Sequence, residues 1–245
     1  MALLSILKLA LVALNTVVMA PLVVVVAFFD QRAAYRLCQV WVWTNLAVCG
    51  LRVRVRRLGG LDPATPYVFM SNHRSQYDIL AVVAALPEFQ LRWVAKKELT
   101  RIPFFGWALR RAGHIIIDRG DSAQAVASLR AARAQMLEGI SVMIFPEGTR
   151  ATAAQALLPL KKGGFMLALE TGFPIVPVCI RGSGDILPRG SWRPVAGEVE
   201  VVVGVPIAVA GVERDELMRR VRAFMLEELA PRSDALRTSL AAEAV

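Results

Sequence analysis

The chain carries only two histidines, and one of them, His73, stands five positions ahead of Asp78 in the stretch SNHRSQYDIL, residues 71–80, between apolar runs. A histidine held by a carboxylate is suited to general base work, because its reference pKa of about 6.5 lets it take and release a proton near neutrality. On one continuous helix a spacing of five turns two side chains about 140° apart, and they would not meet. The sequence offers a way round this. Ser75 as N-cap and Asp78 three residues later resemble a capping box, which leaves His73 in the loop after a strand and lets the carboxylate reach back from the first helical turn. On the spacing alone the commoner arrangement is a helix cap beside an incidental loop histidine. Ser75 could be imagined as a nucleophile beside His73, but a capping role occupies its hydroxyl. The other histidine, His114, falls inside a predicted strand and reads as structural.

A second stretch, FPEGTR at residues 145–150, follows an apolar strand directly. Its proline and glycine demand a tight loop, and Arg150 has the planar fork that captures phosphate in a bidentate manner. An ion pair of Glu147 with Arg150 closing a surface turn is the alternative. A third stretch, residues 94–120, joins Lys96 and Lys97 to the aromatic patch Phe104, Phe105 and Trp107, and to Arg119 at a strand end. The patch reads as core or as the mouth of an acyl-chain groove.

The elements that must position these residues alternate. Strands are predicted at 66–71, 91–95, 114–118, 141–145, 174–180 and 198–204, with helices at 122–138, 162–171 and 213–229. Such alternation implies an α/β fold, a mostly parallel sheet flanked by helices, with functional loops beyond the carboxyl ends of the strands. Ahead of it, from Leu9 to Phe29, the chain has no charge and only Asn15 and Thr16 as polar interruptions. That run reaches roughly 30 Å as a helix, enough for a hydrocarbon core. Pro21 would kink it, Asp30-Gln31-Arg32 forms a corner, and Leu37 to Leu51 carries Trp41 and Trp43, residues that favour the headgroup level. Residues 1–58 are therefore expected to form a hydrophobic two-helix membrane motif ending in a basic connector, and 59–245 the α/β domain. Arg52, Arg54, Arg56 and Arg57 in that connector suit the cytoplasmic side of a membrane, although alternation with Val53 and Val55 also fits a solvated strand face. A cleaved signal peptide fits less well, since the apolar run exceeds the usual length and only Lys8 precedes it.

The 245 residues carry a formal net charge of +9, and 56 % are hydrophobic. The positive balance favours polyanions, but the basic residues are dispersed and no nucleic-acid recognition motif is present. The three cysteines lack C-x-x-C spacing, which argues against a disulfide framework or a zinc site. No metal-ligand cluster is apparent.

Four blocks in order, NHRSQYD, KELTRIPFFGWALRRAGHIIIDR, FPEGTR and KKGGFMLALETGFPIVPV, resemble the glycerophospholipid acyltransferase family, and most closely its bacterial 1-acyl-glycerol-3-phosphate acyltransferases. The resemblance covers nearly the whole chain. It implies transfer of a fatty acyl group from acyl-CoA or acyl-ACP (acyl carrier protein) to the sn-2 hydroxyl of the lysophospholipid acceptor 1-acyl-glycerol-3-phosphate, giving phosphatidic acid, with no further cofactor and no metal. By resemblance His73 is the base and Asp78 its orienting partner. Glu147, Gly148, Thr149 and Arg150 shape the acceptor site, Arg150 and Lys96 hold the phosphate, Arg119 assists, and the Val176-Pro177 block supports the acyl region. The partners implied are the phospholipid bilayer, the acceptor and the thioester donor, without nucleic acid; the place implied is a bacterial inner membrane with the catalytic domain on the cytoplasmic side. Two positions depart from the family's usual pattern, Ala151 where serine is common and Gln76 where a bulky apolar residue is common. Both leave the acceptor open, and a lyso-ornithine lipid is the alternative within the same chemistry. A non-catalytic anionic-lipid-binding membrane protein is the alternative outside it.

Overall fold

The computed structural model describes residues 2–102, 105–117, 122–152, 155–188, 190–191 and 193–231. Phe104 and Arg119 lie outside the described residues. A seven-stranded sheet forms the body: β1 (Leu51–Arg57), β2 (Val68–Ser71), β3 (Leu91–Lys96), β4 (Ile115–Ile117), β5 (Ser141–Ile144), β6 (Ile175–Arg181) and β7 (Gly197–Val203), in the order β1-β7-β6-β2-β5-β3-β4. The helices are α1 (Ala2–Ala27), α2 (Gln31–Cys49), α3 (Tyr77–Ala85), α4 (Phe105–Arg111), α5 (Ser122–Leu137), α6 (Gly163–Thr171), α7 (Ser183–Ile186) and α8 (Arg214–Leu229), with a 3-10 turn at Lys97–Arg101. One face of the sheet packs on α2 and α3, and the other on α5, α6 and α8. The central strands are buried on both faces, which is why VFMS, SVMI and IVPVCI read as continuous apolar runs rather than alternating ones.

Every neighbouring pair is parallel except β6 and β7. A parallel return needs a crossover, usually a helix of several turns. The link from β6 to β7 holds only the four-residue α7, and the chain comes back antiparallel. The sheet also takes in residues expected to be a connector. Arg52 to Arg57 form the edge strand β1, paired from Leu51↔Gly197 to Arg57↔Val203, so the α/β body begins at residue 51. Two of its arginines are neutralised within the fold. Arg56 pairs with Glu200 and Glu228, and Arg57 with Glu88 at 2.6 Å while also donating to the Ala85 carbonyl. Arg52 and Arg54 are exposed and charge an edge that would otherwise invite another strand.

The N-terminal helices form a hairpin whose inner seam takes up its polar groups. Asn15 Nδ2 donates to Asn45 Oδ1 at 3.0 Å, Trp41 Nε1 to Thr16 Oγ1 at 3.0 Å, and Lys8 Nζ to the Cys49 carbonyl at 3.0 Å. Asp30 caps α2 by accepting from the amides of Arg32 and Ala33. The outer surface of α1 is left apolar and exposed, including Leu14, Val17, Val18 and Val25, and Ile6–Ala27 is long and apolar enough to cross a membrane. The two helices are not equivalent. Tyr35, Val42, Leu46 and Cys49 of α2 belong to the main core, where each large apolar side chain contributes roughly 1.5–3 kcal/mol.

His114 just precedes β4. Its Nδ1 accepts from the Trp93 amide at 3.2 Å, so the ring is held neutral at that nitrogen. Burial, and then repulsion from the fully buried Arg92 guanidinium, lower its pKa to about 4. In the unfolded chain the same imidazole takes a proton near pH 6.5. The unfolded state therefore binds more protons between these values, and the contribution of His114 to stability is complete above about pH 6.5 and lost as pH falls towards 4. Thermal unfolding of His114→Asn should show a shallower acid dependence across this window than that of the parent chain.

Candidate active site

His73 leaves the sheet two residues beyond the end of β2. Its Nδ1 lies 2.8 Å from Asp78 Oδ2, and the same oxygen accepts from the amides of Arg74 at 2.7 Å and Ser75 at 2.8 Å. Asp78 is fully buried. A carboxylate in this position requires the proton on Nδ1, which leaves Nε2 without a hydrogen-bond partner among the described residues. The side chain of His73 remains 16 % exposed, so the ring is reachable.

The local sequence explains the geometry. Ser75 Oγ accepts from the Tyr77 amide at 3.3 Å, Gln76 already has helical dihedral angles, and Asp78 returns a bond to the Ser75 amide. The carboxylate half is that of a capping box, while the serine hydroxyl takes the amide of the second helical residue rather than the third. The Ser75 hydroxyl donates to the Leu187 carbonyl at 3.0 Å, so it is committed on both sides and is no nucleophile in this arrangement. Asn72, which no spacing argument singled out, both donates to the Ile180 carbonyl and accepts from its amide, at 2.9 and 2.7 Å. It splices the end of β2 onto β6 as a strand would.

The FPEGTR loop wraps the same histidine. Glu147 Oε1 accepts from the His73 amide and Oε2 from the Leu158 amide, both at 2.7 Å, while the Ala151 amide donates to the His73 carbonyl at 2.8 Å. Glu147 thus shapes the site through the backbone, tying three segments together. Gly148 turns the loop with φ +69°, a conformation a side chain would resist. Thr149 is exposed, and Arg150 is half-buried beside the Ala151 amide. The Phe145 ring stacks on His73 with centroids 3.9 Å apart and planes 8° from parallel.

Phe145 also lines an apolar cavity of about 190 Å3 between the carboxyl ends of β3, β4 and β5 and the first turn of α6. Val94, Ile115, Ile117, Ile144 and Leu167 form its walls, and Lys96 and Lys161, both exposed, flank it. Lys96 is therefore brought to the histidine side of the sheet. Val176 and Pro177 lie in β6, Pro177 opposite Met70 of β2, as support beneath the loop. Arg119 is outside the described residues. Among the described residues no group of three or more His, Cys, Asp or Glu could hold a metal.

Residues 52–181 match the family model named Acyltransferase. The chain belongs to the acyltransferase family. It is 33 % identical over 208 residues to a 1-acyl-sn-glycerol-3-phosphate acyltransferase of Pseudomonas aeruginosa, covering 81 % of this chain and 79 % of that protein. It is 35 % identical over 181 residues to the human 1-acyl-sn-glycerol-3-phosphate acyltransferase alpha, covering 72 % of this chain and 63 % of that one. Its fold is shared with the crystal structure of the 1-acyl-sn-glycerophosphate (LPA) acyltransferase PlsC from Thermotoga maritima, at a TM-score of 0.74 and 24 % identity over 95 % of this chain and 97 % of the other.

In this acyltransferase the clamp at Glu147 buries an acid between two amides. Burial raises its pKa above the ordinary 4.5, against the opposing pull of the Leu158 and His73 amides. A carboxyl whose folded pKa is raised favours the fold below its unfolded value and loses that contribution as pH rises through the folded one; at neutral pH the buried charge is a cost. Glu147→Gln removes the charge and one of two acceptors. With an NH2 group then facing a backbone N–H, we expect a fall in melting temperature smaller than that of Glu147→Ala, together with a clear fall in kcat. Glu147→Ala orphans two amides and should cost about 2 kcal/mol or more. Parallel thermal and steady-state measurements check both.

Proposed function

We propose that this protein acylates the sn-2 hydroxyl of 1-acyl-sn-glycerol 3-phosphate from an acyl thioester, giving phosphatidic acid, with His73 as general base. The observation that carries this reading is the His73 Nδ1 to Asp78 Oδ2 contact in a loop clamped by residues 147–151. The names of the similar proteins supply the acceptor.

The Asp78 carboxylate fixes the tautomer, so Nε2 is the nitrogen that faces the acceptor hydroxyl. As the hydroxyl oxygen attacks the thioester carbonyl, its proton passes to Nε2. Asp78 stabilises the imidazolium from one side, and the Phe145 π-face supports a cation stacked on it. Collapse of the tetrahedral intermediate forms the new ester and expels the thiolate of CoA or acyl carrier protein, which takes the proton back from Nε2. No acyl-enzyme is required. Lys96 and Arg150 hold the acceptor phosphate, Arg150 by a bidentate fork. The cavity beside Phe145 takes alkyl chain, since its walls offer no polar side chain apart from the flanking lysines.

The protein works from a membrane, with the α1 outer face among the lipid chains and the catalytic domain on the cytoplasmic side of a bacterial inner membrane. Both substrates are amphiphiles, and anchoring lets them pass sideways into the site without crossing water.

His73→Ala should lower transfer by about 10²- to 10⁴-fold with the fold intact by circular dichroism; near-parental turnover removes the proposal. Across a panel of lysolipids the phosphate-bearing acceptor should lead, and Lys96→Ala or Arg150→Ala should raise its KM more than they lower kcat. A phosphate-free lysolipid leading the panel would reassign the acceptor. The pair Val17→Glu and Val18→Glu places charge where insertion costs about 3 kcal/mol per residue. It should abolish co-sedimentation with vesicles while leaving turnover of detergent-dispersed substrate.

A further inference from the structure

The bond between His73 Nδ1 and Asp78 fixes one edge of the imidazole, but hydrogen-bond angles are broad, and the ring plane can still tilt about that edge. The plane is set by Phe145, stacked with centroids 3.9 Å apart and 8° from parallel. Phe145 is itself weakly held by its own strand. β5 ends at Ile144, so Phe145 stands one residue beyond the ladder, and it is only half-buried. Its ring needs a neighbour to keep it in place.

That neighbour is Trp93. The sheet register sets Trp93 of β3 opposite Met143 of β5, and residues two apart on a strand share a face. Trp93 and Phe145 are therefore diagonal neighbours on the α2 and α3 side of the sheet, where both pack against the same core, at a separation that aromatic side chains bridge. Their ring centroids are 5.5 Å apart with planes 30° from parallel, within the range of attractive aromatic pairs. Phe145 thus joins Trp93 to His73. The backbone of Trp93 is fixed in turn by the other histidine: its amide donates to His114 Nδ1 at 3.2 Å, one residue before the ladder of β3 with β4 begins at Val94 and Ile115. A side chain there extends the pairing of the strand to the residue that supports Phe145.

We infer that Trp93 is a positioning residue for the proposed acyl transfer, holding the Phe145 ring and through it the plane of the His73 imidazole. The inference rests on His73 as the base and adds to it a residue that acts through another. Turnover is sensitive to such placement, since a displacement of about 1 Å can cost on the order of 10²-fold. In the competing account Trp93 only fills the core, and its loss would lower stability without changing where the His73 ring lies.

The test compares Trp93→Phe with Trp93→Leu in the full chain in mixed micelles. Both shrink the side chain, but only the first keeps a flat ring against Phe145. Trp93→Leu should lower kcat about 10- to 100-fold with KM little changed, the pattern of an interaction that counts only in the transition state. Trp93→Phe should recover most of that loss. Equal losses in the two variants, a change confined to KM, or a lower melting temperature with parental kcat overturns the inference. Imidazole proton NMR reads the placement without turnover. The chain has two histidines, and His114→Asn leaves only the His73 signals, so assignment is direct. The ring current of Phe145 moves those signals upfield in the parent, and Trp93→Leu should return them downfield; signals that stay in place overturn the inference. Should Trp93→Leu not fold, nuclear Overhauser contacts in the parent from Phe145 to both the Trp93 and the His73 rings carry the test, and the absence of either set overturns it. A downfield shift in Trp93→Leu, with no transfer by the parent to any lysolipid, keeps the positioning of the ring and removes the proposed reaction.

Discussion

One carboxylate oxygen, Asp78 Oδ2, gathers three N–H groups from consecutive residues: the His73 ring, the Arg74 amide and the Ser75 amide. Removing a carboxylate from water is expensive unless donors replace the water, and here the chain coils round one oxygen to supply them, while Oδ1 is buried without a hydrogen-bond partner among the described residues. The cost of burying Asp78 thereby dictates the loop. The remaining freedom of His73 is removed from other directions, its amide by Glu147, its carbonyl by Ala151 and its ring face by Phe145. What is left without a partner among the described residues is a single ring nitrogen of defined direction.

The same logic governs the N-terminal hairpin. Asn15 and Thr16 would be costly in hydrocarbon, and both are satisfied across the seam by Asn45 and Trp41. The polar interruptions in an apolar run thus act as the register of one helix against the other. Where α1 ends, Phe28 packs on Trp107 and receives the Arg111 guanidinium on its face at 3.7 Å, joining the hairpin to the helix before β4.

Much of this could be read from residue order. The β-branched runs marked the central strands to within a residue or two, and the S-x-x-D spacing revealed how a histidine five positions away could meet its acid. The features that escaped depend on contacts distant in sequence. Nothing in FPEGTR says that Glu147 would clasp an amide 74 residues earlier; the spacing left it between an ion pair with Arg150 and a part in shaping the acceptor site. The reversal of β7 follows from a missing crossover helix, which is visible only once its neighbour in the sheet is known. The Arg-Val alternation of 52–56 held both readings, connector and strand, and only pairing with β7 separates them. The cavity beside Phe145 is invisible in sequence because it is made by three strands and a helix meeting at one height.

Because the inner side of α2 belongs to the core while α1 rests chiefly on α2, the division between the apolar outer face and the α/β body runs lengthwise along a helix seam rather than across the chain at a cut point. A water-dispersible form cannot be made by trimming to the first strand, which would strip Tyr35, Val42 and Leu46 from the core. Trimming to the corner at Asp30 would bare Asn45 and Trp41 along with the apolar side of α2. Rewriting the outward residues of α1, with its seam left in place, is the route the architecture permits.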